Sequence, residues 1–322
     1  QLIMIMFFRK RKGFVLISTM LIVLMLSIIA SEMSKAFFLD LRKEGYLSFD
    51  AIAFSKRIES EKFLLNFIKR ELNKNPNVNK QNPIFNESLV FQFDDFSLEG
   101  SLSDHSNCFN INHLITFNGG QSKDNLKAIK YFEDLLSQYA ISYIDADQII
   151  DQILDWMDVD DIPRNNGAEN YYYSSLLHYP REYTSKRLFI NKSELLAIPS
   201  INKIKNRDIW QKLCIIPMSS IFYININSLQ DEDKHLLSSA ISQPNLNEIA
   251  LIIKETPTEG FATVEEFLQK FNLQETDLMI PLDISSDIFL FNGTLKYQGF
   301  SYNFKTLIKQ ENEFNYRILD RL

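Results

Sequence analysis

Arg9-Lys-Arg-Lys12-Gly13-Phe14-Val-Leu-Ile-Ser-Thr-Met-Leu-Ile-Val-Leu-Met-Leu-Ser-Ile-Ile-Ala30 is the stretch on which the reading of this chain turns. A basic cluster abuts Gly13, and from Phe14 to Ala30 no charge interrupts an apolar run that ends near Glu32. As a helix at about 1.5 Å per residue the run reaches about 25 Å, close to the ~30 Å hydrocarbon core of a bilayer. Basic residues ahead of a span stay cytoplasmic, so the pattern predicts a single pass with everything after Glu32 exported. The helix need not stop at the membrane. From Ser31 to Leu72 there is no proline, the one glycine is Gly45, and Phe54, Ile58, Leu65, Ile68 and Leu72 recur on one helical face. Unbroken, Phe14 to Leu72 makes a rod of about 90 Å, half membrane span and half amphipathic stem. A span followed by a separate core helix would leave nearly the same pattern.

Three readings of the amino terminus compete. A secretory signal needs a small-x-small cleavage site, and Ser27-Ile-Ile-Ala30 is a poor one. An uncleaved anchor is the plain alternative. The third is a prepilin-like signal, which the junction of basic residues, Gly13 and Phe14 resembles. In that class the leader (1–13) is cut on the cytoplasmic side after Gly13, the helix is kept, and Phe14 becomes the methylated amino terminus. Pilin-like subunits mostly carry glutamate at the fifth mature position, where this chain has Ser18. A carboxylate in lipid is costly unless paired, so its absence fits a subunit with no neighbour beyond it. The chain opens on Gln1, and Met4 or Met6 are alternative starts.

The 322 residues suffice for a sizeable core in one large or two modest domains. A net charge of −7 argues against binding a phosphate backbone, so no nucleic-acid partner is expected. Two cysteines, Cys108 and Cys214, are too few for a disulfide framework or a cysteine-built metal site. They either pair in an oxidising compartment or stay as two free thiols.

Beyond the stem, Asn-Pro pairs at 75–76 and 82–83 mark a loop. Strands are expected at 89–93 and 96–102, with Phe109-Asn-Ile-Asn112 following. Residues 124–280 are mainly helical in pattern, broken by an alternating strand near 221–227, and strand-like runs return at 287–291, 294–304 and 314–319. The predicted class is α+β: a transmembrane and stem helix (14–72), a sheet domain built from 73–123 and 281–322, and a large inserted helical domain (124–280). No tandem repeat stands out.

Asp155-Trp-Met-Asp158-Val-Asp160-Asp161-Ile-Pro-Arg-Asn-Asn-Gly167-Ala168-Glu169 is the segment richest in chemistry. Clustered carboxylates repel unless solvated or bridged by a hard cation, and calcium takes six to eight oxygens. Asp158, Asp160, Asp161 and Glu169, with Asp155 as a further candidate, are the ligands proposed from spacing. A helix end with a solvated acidic loop is the competing reading, and the spacing is not that of an EF-hand.

The same segment resembles the K-type minor pseudopilins of type II secretion systems, whose pattern is similar to D-W-x-D-x-D followed by G-A-E. Asp155, Trp156, Asp158, Asp160, Gly167, Ala168 and Glu169 match it. A second element, D-x-x-x-x-F-N-x-N-x-L, is met by Asp104, Phe109, Asn110, Asn112 and Leu114. A third, I-N-x-N, is met by Ile224, Asn225, Ile226 and Asn227. Asn107 and Cys108 depart from the usual glycine and basic residue. The resemblance implies a pseudopilin sheet domain interrupted by a helical one, calcium near the Asp-rich segment, and no enzyme activity. It also implies I- and J-type minor pseudopilins, a major pseudopilin and a prepilin peptidase as partners, and a place in the bacterial inner membrane with the bulk of the chain periplasmic. Alternatives are a minor pilin of a type IV pilus or DNA-uptake system, and a membrane-anchored calcium-dependent periplasmic hydrolase.

The remaining residues read plainly. The histidines, at 105, 113, 178 and 235, form no His-x-x-x-His pair. Asp145 and Asp147 suit a helix amino terminus. The Tyr171-Tyr-Tyr173 run suits buried packing with hydroxyls reaching water. Residues 231–270 resemble a helix-hairpin-helix module without its Gly-x-Gly turn, and their glutamates favour a protein-packing role.

Overall fold

A computed structural model describes residues 11–242, 245–297, 299–312 and 315–322. The leader residues 1–10, with the first half of the basic cluster, lie outside the described residues. Helix α1 runs unbroken from Arg11 to Lys74, 64 residues, or about 95 Å. Among the described residues its apolar part from Phe14 to Ile29 is left exposed, whereas Phe49, Ala53, Leu64, Ile68 and Leu72 are buried. The rod is therefore one helix, and its face switches from outward to inward about halfway along.

The buried face of α1 lies on a five-stranded antiparallel sheet. Its strands are β1 (Leu89–Gln92), β2 (Phe96–Asp104) and three near the carboxyl end. Before those three, two pairs of two-residue strands occur in the helical region: β3 (Phe109–Asn110) with β4 (Leu213–Cys214), and β5 (Ile224–Asn225) with β6 (Leu282–Asp283). The sheet is completed by β7 (Ile288–Tyr297), β8 (Phe300–Asn312) and β9 (Asn315–Arg321), in the order β1-β2-β7-β8-β9. The expected break at 292–293 does not exist. Gly293 sits opposite Gly100 on β2. A Cβ on Gly100 would stand 2.5 Å from the Phe291 ring, and one on Gly293 2.6 Å. Glycine here makes room for an aromatic core inside a strand rather than ending it.

The inserted domain leaves and returns at one place. Asp104 ends β2 opposite Phe289 of β7, and His105 donates its backbone N–H to the Ile288 carbonyl. In register, the insertion spans 105–287, wider than the 124–280 read from helical patterning. Residues 109–115 already belong to its core. The strand expected over 221–227 shortens to Ile224–Asn225 and pairs with Leu282–Asp283 outside the main sheet.

The insertion contains a repeat that sequence patterning missed. β3 pairs parallel with β4, and β5 pairs parallel with β6. In the first unit Asn112 donates to the Phe189 and Ile216 carbonyls and accepts from the Phe189 N–H. In the second, Asn227 donates to the Phe261 and Ile284 carbonyls and accepts from the Phe261 N–H. Two residues after each phenylalanine comes an N-cap, Asn191 or Thr263. Each is followed three residues on by a glutamate, Glu194 or Glu266, that reaches back to backbone N–H groups. Two buried Asn-x-Asn motifs thus close two equivalent units, about 109–216 and 224–284. Helices α2 (Leu126–Gln138) and α3 (Tyr143–Met157) belong to the first. Helices α4 (Lys234–Ala240), α5 (Leu246–Glu255) and α6 (Val264–Lys270) belong to the second. The units differ between their second helix and the clamped phenylalanine. The second unit crosses this gap with 256–260, the first with the long segment 158–188.

Candidate functional site

That long segment starts where α3 ends. Ser142 caps the amino terminus of α3, and Asp158 follows its last helical residue. Asp147, Asp151 and Asp155 recur at intervals of four on one face. Carboxylates in the last turn oppose the helix dipole, so Asp155 and Asp158 stand where a negative charge is least welcome. Both are buried nonetheless.

The segment turns back over this face. Asp147 accepts from the Asn166 amide side chain at 2.5 Å, and Asp151 accepts from the Asn166 backbone N–H at 2.9 Å. Asp155 accepts from the Arg164 backbone N–H, and Arg164 Nη1 reaches Asp155 at 2.7 Å and Asp158 at 2.5 Å. Arg164 Nη2 holds Asp124, at the end of a short hairpin, at 2.8 Å. The turn brings in Gly167, where a Cβ would lie 1.9 Å from Asp155 Oδ2. Only glycine fits against that carboxylate. Ala168 and Glu169 follow, both buried.

Asp155, Asp158 and Glu169 each offer an oxygen within 4.8 Å of the others. Glu169 has 0% exposure, and both its carboxylate oxygens and Asp158 Oδ1 have no hydrogen-bond partner. Buried carboxylate oxygens without donors are costly. Burial first, then Asp158 and Asp155, pushes Glu169 up to about 8, and burial pushes Asp155 up to about 6. Asp158 is raised for the same reason. Three such oxygens facing one point suit a hard divalent cation.

Of the residues singled out by spacing, the structure brings Asp155, Asp158 and Glu169 together. It turns Asp160 and Asp161 outward. Asp160 accepts from the Ile162 N–H, and Asp161 pairs with Lys186 and Asn170. Trp156 is buried edge-to-face on Tyr173, 5.0 Å between centroids, and its carbonyl anchors Lys186 N–H and the Ser185 hydroxyl. Arg164 and Asp124 carry no spacing signal, whereas Asp147, Asp151 and Asp155 share an interval of four that sequence reading passed over. Asp145 does sit in the first turn of α3, pairing with Lys203 and accepting from the Ser142 hydroxyl.

The other motif residues are structural. Phe109 stacks on Phe132 in the core. Asn110 donates to the Ser219 and Ile221 carbonyls. Asp104 accepts from Asn225 and the Ser228 hydroxyl, tying the end of β2 to the second unit. Cys108 and Cys214 are joined, beside the β3–β4 pair. At the far end of the molecule α1 carries a window of mean hydropathy 2.6 with none of it buried. The Gly13–Phe14 bond lies within this helix, and the Ser18 hydroxyl donates to the Val15 carbonyl, leaving no polar group seeking a partner there.

A family model described as type II secretion system (T2SS), protein K, matches residues 107–218, the span of the first repeated unit. Type II secretion system protein K of Aeromonas hydrophila is 28% identical over 261 residues, 79% of this chain and 78% of that protein. A putative type II secretion system protein K of Escherichia coli K12 is 24% identical over 80% of this chain and 79% of its own length. Among solved structures, a chain of the GspK-GspI-GspJ complex from the enterotoxigenic Escherichia coli type 2 secretion system superposes with a TM-score of 0.71. It has 18% identity, over 87% of this chain and 98% of that one.

Proposed function

The chain belongs to the family of type II secretion system protein K, a minor pseudopilin, and from that premise we propose how it works. It is cut after Gly13 by a prepilin peptidase, is methylated on Phe14, and sits singly spanning the bacterial inner membrane with its folded part in the periplasm. It joins I- and J-type minor pseudopilins at the tip of the pseudopilus, above the major pseudopilin, where it initiates or caps the fibre. Its role is mechanical rather than enzymatic. The observation that carries this is α1 itself. The same helix that is apolar and uncovered from Phe14 to Ile29 becomes the packed spine of the sheet domain by Phe49. Such a helix can leave lipid for a bundle of like helices without refolding. Ser18 supports the terminal position, because no carboxylate there calls for the amino terminus of a further subunit. The test is the mass and amino-terminal sequence of the membrane-derived protein, with and without the cognate peptidase. A methylated Phe14 terminus that appears only with the peptidase is expected. An intact terminus, or cleavage beyond Ala30, would sink the proposal.

We further propose that Asp155, Asp158 and Glu169 hold a calcium ion, with water completing its six to eight oxygens. Bound to the folded chain alone, it stabilises by RT ln(1 + [L]/Kd) and fastens 158–188. The pH dependence has a definite sign. Glu169 titrates near 8 in the fold against an ordinary 4.5. Without metal its stabilising proton is fully in place below pH 4.5 and is lost as pH rises through 8. In chelator the melting temperature should therefore fall between about pH 5 and 8, and the gain from calcium should widen over the same window. Gly167→Ala should abolish the calcium gain. A calcium gain of zero at pH 8 in the wild-type protein would refute this reading.

A further inference from the structure

Arg164 divides the acidic cluster in two. Its guanidinium takes Asp155 Oδ1, Asp158 Oδ2 and Asp124 Oδ1, at 2.7, 2.5 and 2.8 Å. It does not reach Asp158 Oδ1 or either oxygen of Glu169, and among the described residues those three are the buried carboxylate oxygens left without partners. Charge follows the same division. Against the three buried carboxylates of Asp155, Asp158 and Glu169 stands one guanidinium in direct contact, with the Lys186 ammonium further off and paired with Asp161; once ionised, the three carboxylates leave two negative charges for whatever occupies the other half. Asp124 is the most exposed member and is screened by water.

Building on the calcium reading, we propose that Arg164 is a positioning residue for the cation site. It is the resident cation of the cluster, holding the Asp155–Asp158 half in place before metal arrives. It also fixes the remaining charge at the value a divalent ion neutralises. Geometry supports a single role for the whole residue. The Arg164 backbone N–H also binds Asp155, and its carbonyl accepts the Gly167 N–H, so the turn that delivers Glu169 is nailed to the end of α3 by this one residue. A lysine could supply the charge but not the planar fork that spreads three contacts over Nη1 and Nη2. Removing the charge would leave the pocket with more negative charge than a divalent ion offsets, which favours a trivalent ion over calcium.

The experiment uses the full chain in detergent micelles, with calcium and terbium competing for the site, and melting followed in chelator. Arg164→Gln is expected to raise terbium affinity relative to calcium by roughly tenfold or more. Arg164→Lys should keep the wild-type ratio yet melt lower than wild type in chelator. An unchanged terbium-to-calcium ratio in Arg164→Gln, with wild type binding calcium, would overturn the role of Arg164 alone. Wild-type protein that takes up neither ion would instead overturn the cation reading. Should Arg164→Gln not fold, the lysine variant decides: melting with wild type in chelator would overturn the proposal.

Discussion

Replacing Cys108 and Cys214 together by serine is expected to destabilise the inserted domain by about 4–5 kcal/mol. The bond spans 106 residues of sequence, and cross-linking a loop of about that length removes most of that amount from the unfolded chain's entropy. Its position makes the loss fall on one unit. Cys108 precedes β3 and Cys214 lies in β4, so the bond closes nearly the whole first unit, including α2, α3 and the segment that carries Glu169. The two-residue β3–β4 pairing is too short to hold its register unaided, although Asn110 helps by accepting from the Ile216 N–H. A fall in melting temperature of the order of 10 °C is expected for the double variant. Wild type under strong reductant should melt with it. Equal melting of variant and oxidised wild type would show that the bond adds nothing. On the proposed calcium reading, the ion should recover part of the loss by fastening the same unit from the other side.

How much of this was legible in the sequence depended on the range of the signal. The long apolar helix and its stem were readable because their cause is local: an uncharged run, then apolar residues on one helical face with no proline. The strands on either side of the insertion were readable for the same reason. The insertion's edges were not, since they are set by Asp104 meeting Phe289 across β2 and β7, a pairing between residues far apart in the chain. Asn110, Asn112, Asn225 and Asn227 were noticed as motif letters. The shared work of Asn112 and Asn227, clamping a distant phenylalanine backbone in each unit, exists only in three dimensions. Near the Asp155–Asp158–Glu169 cluster, spacing favoured Asp160 and Asp161, which are close to Asp158 in sequence. Helix α3 ends at Met157, so the chain beyond Asp158 is free to point its carboxylates outward. Asp155 qualifies instead because one turn of helix places it beneath Gly167. Arg164 looked like an ordinary loop residue, and nothing short of the folded turn marks it as the partner of three aspartates.

The second large effect is expected at Glu61, on the stem. It is 2% exposed, and one carboxylate receives Arg57 Nε and the Thr306 hydroxyl on one oxygen and Arg321 Nε on the other. Arg57, itself 5% exposed, also donates to the Lys305 carbonyl and lies over the Phe304 ring. Helix α1, β8 and β9 are thus tied at one point. Glu61→Ala removes the acceptor and leaves a guanidinium buried with too few partners, which costs about 3–5 kcal/mol. Replacing both partners by apolar residues, Arg57→Met with Glu61→Leu, should cost far less and could be neutral, because no charge is left stranded. Denaturant titration of the full chain in detergent measures both. A Glu61→Ala midpoint equal to wild type would mean that the sheet holds the stem by apolar packing alone. If the single variant is weak and the double variant is not, the ion pair's contribution is the avoidance of a stranded charge. The clasp would then act to fix where along α1 the sheet sits. That register sets how far the folded part stands from the apolar end of α1, and so, on the proposed function, where a tip subunit would meet its neighbours.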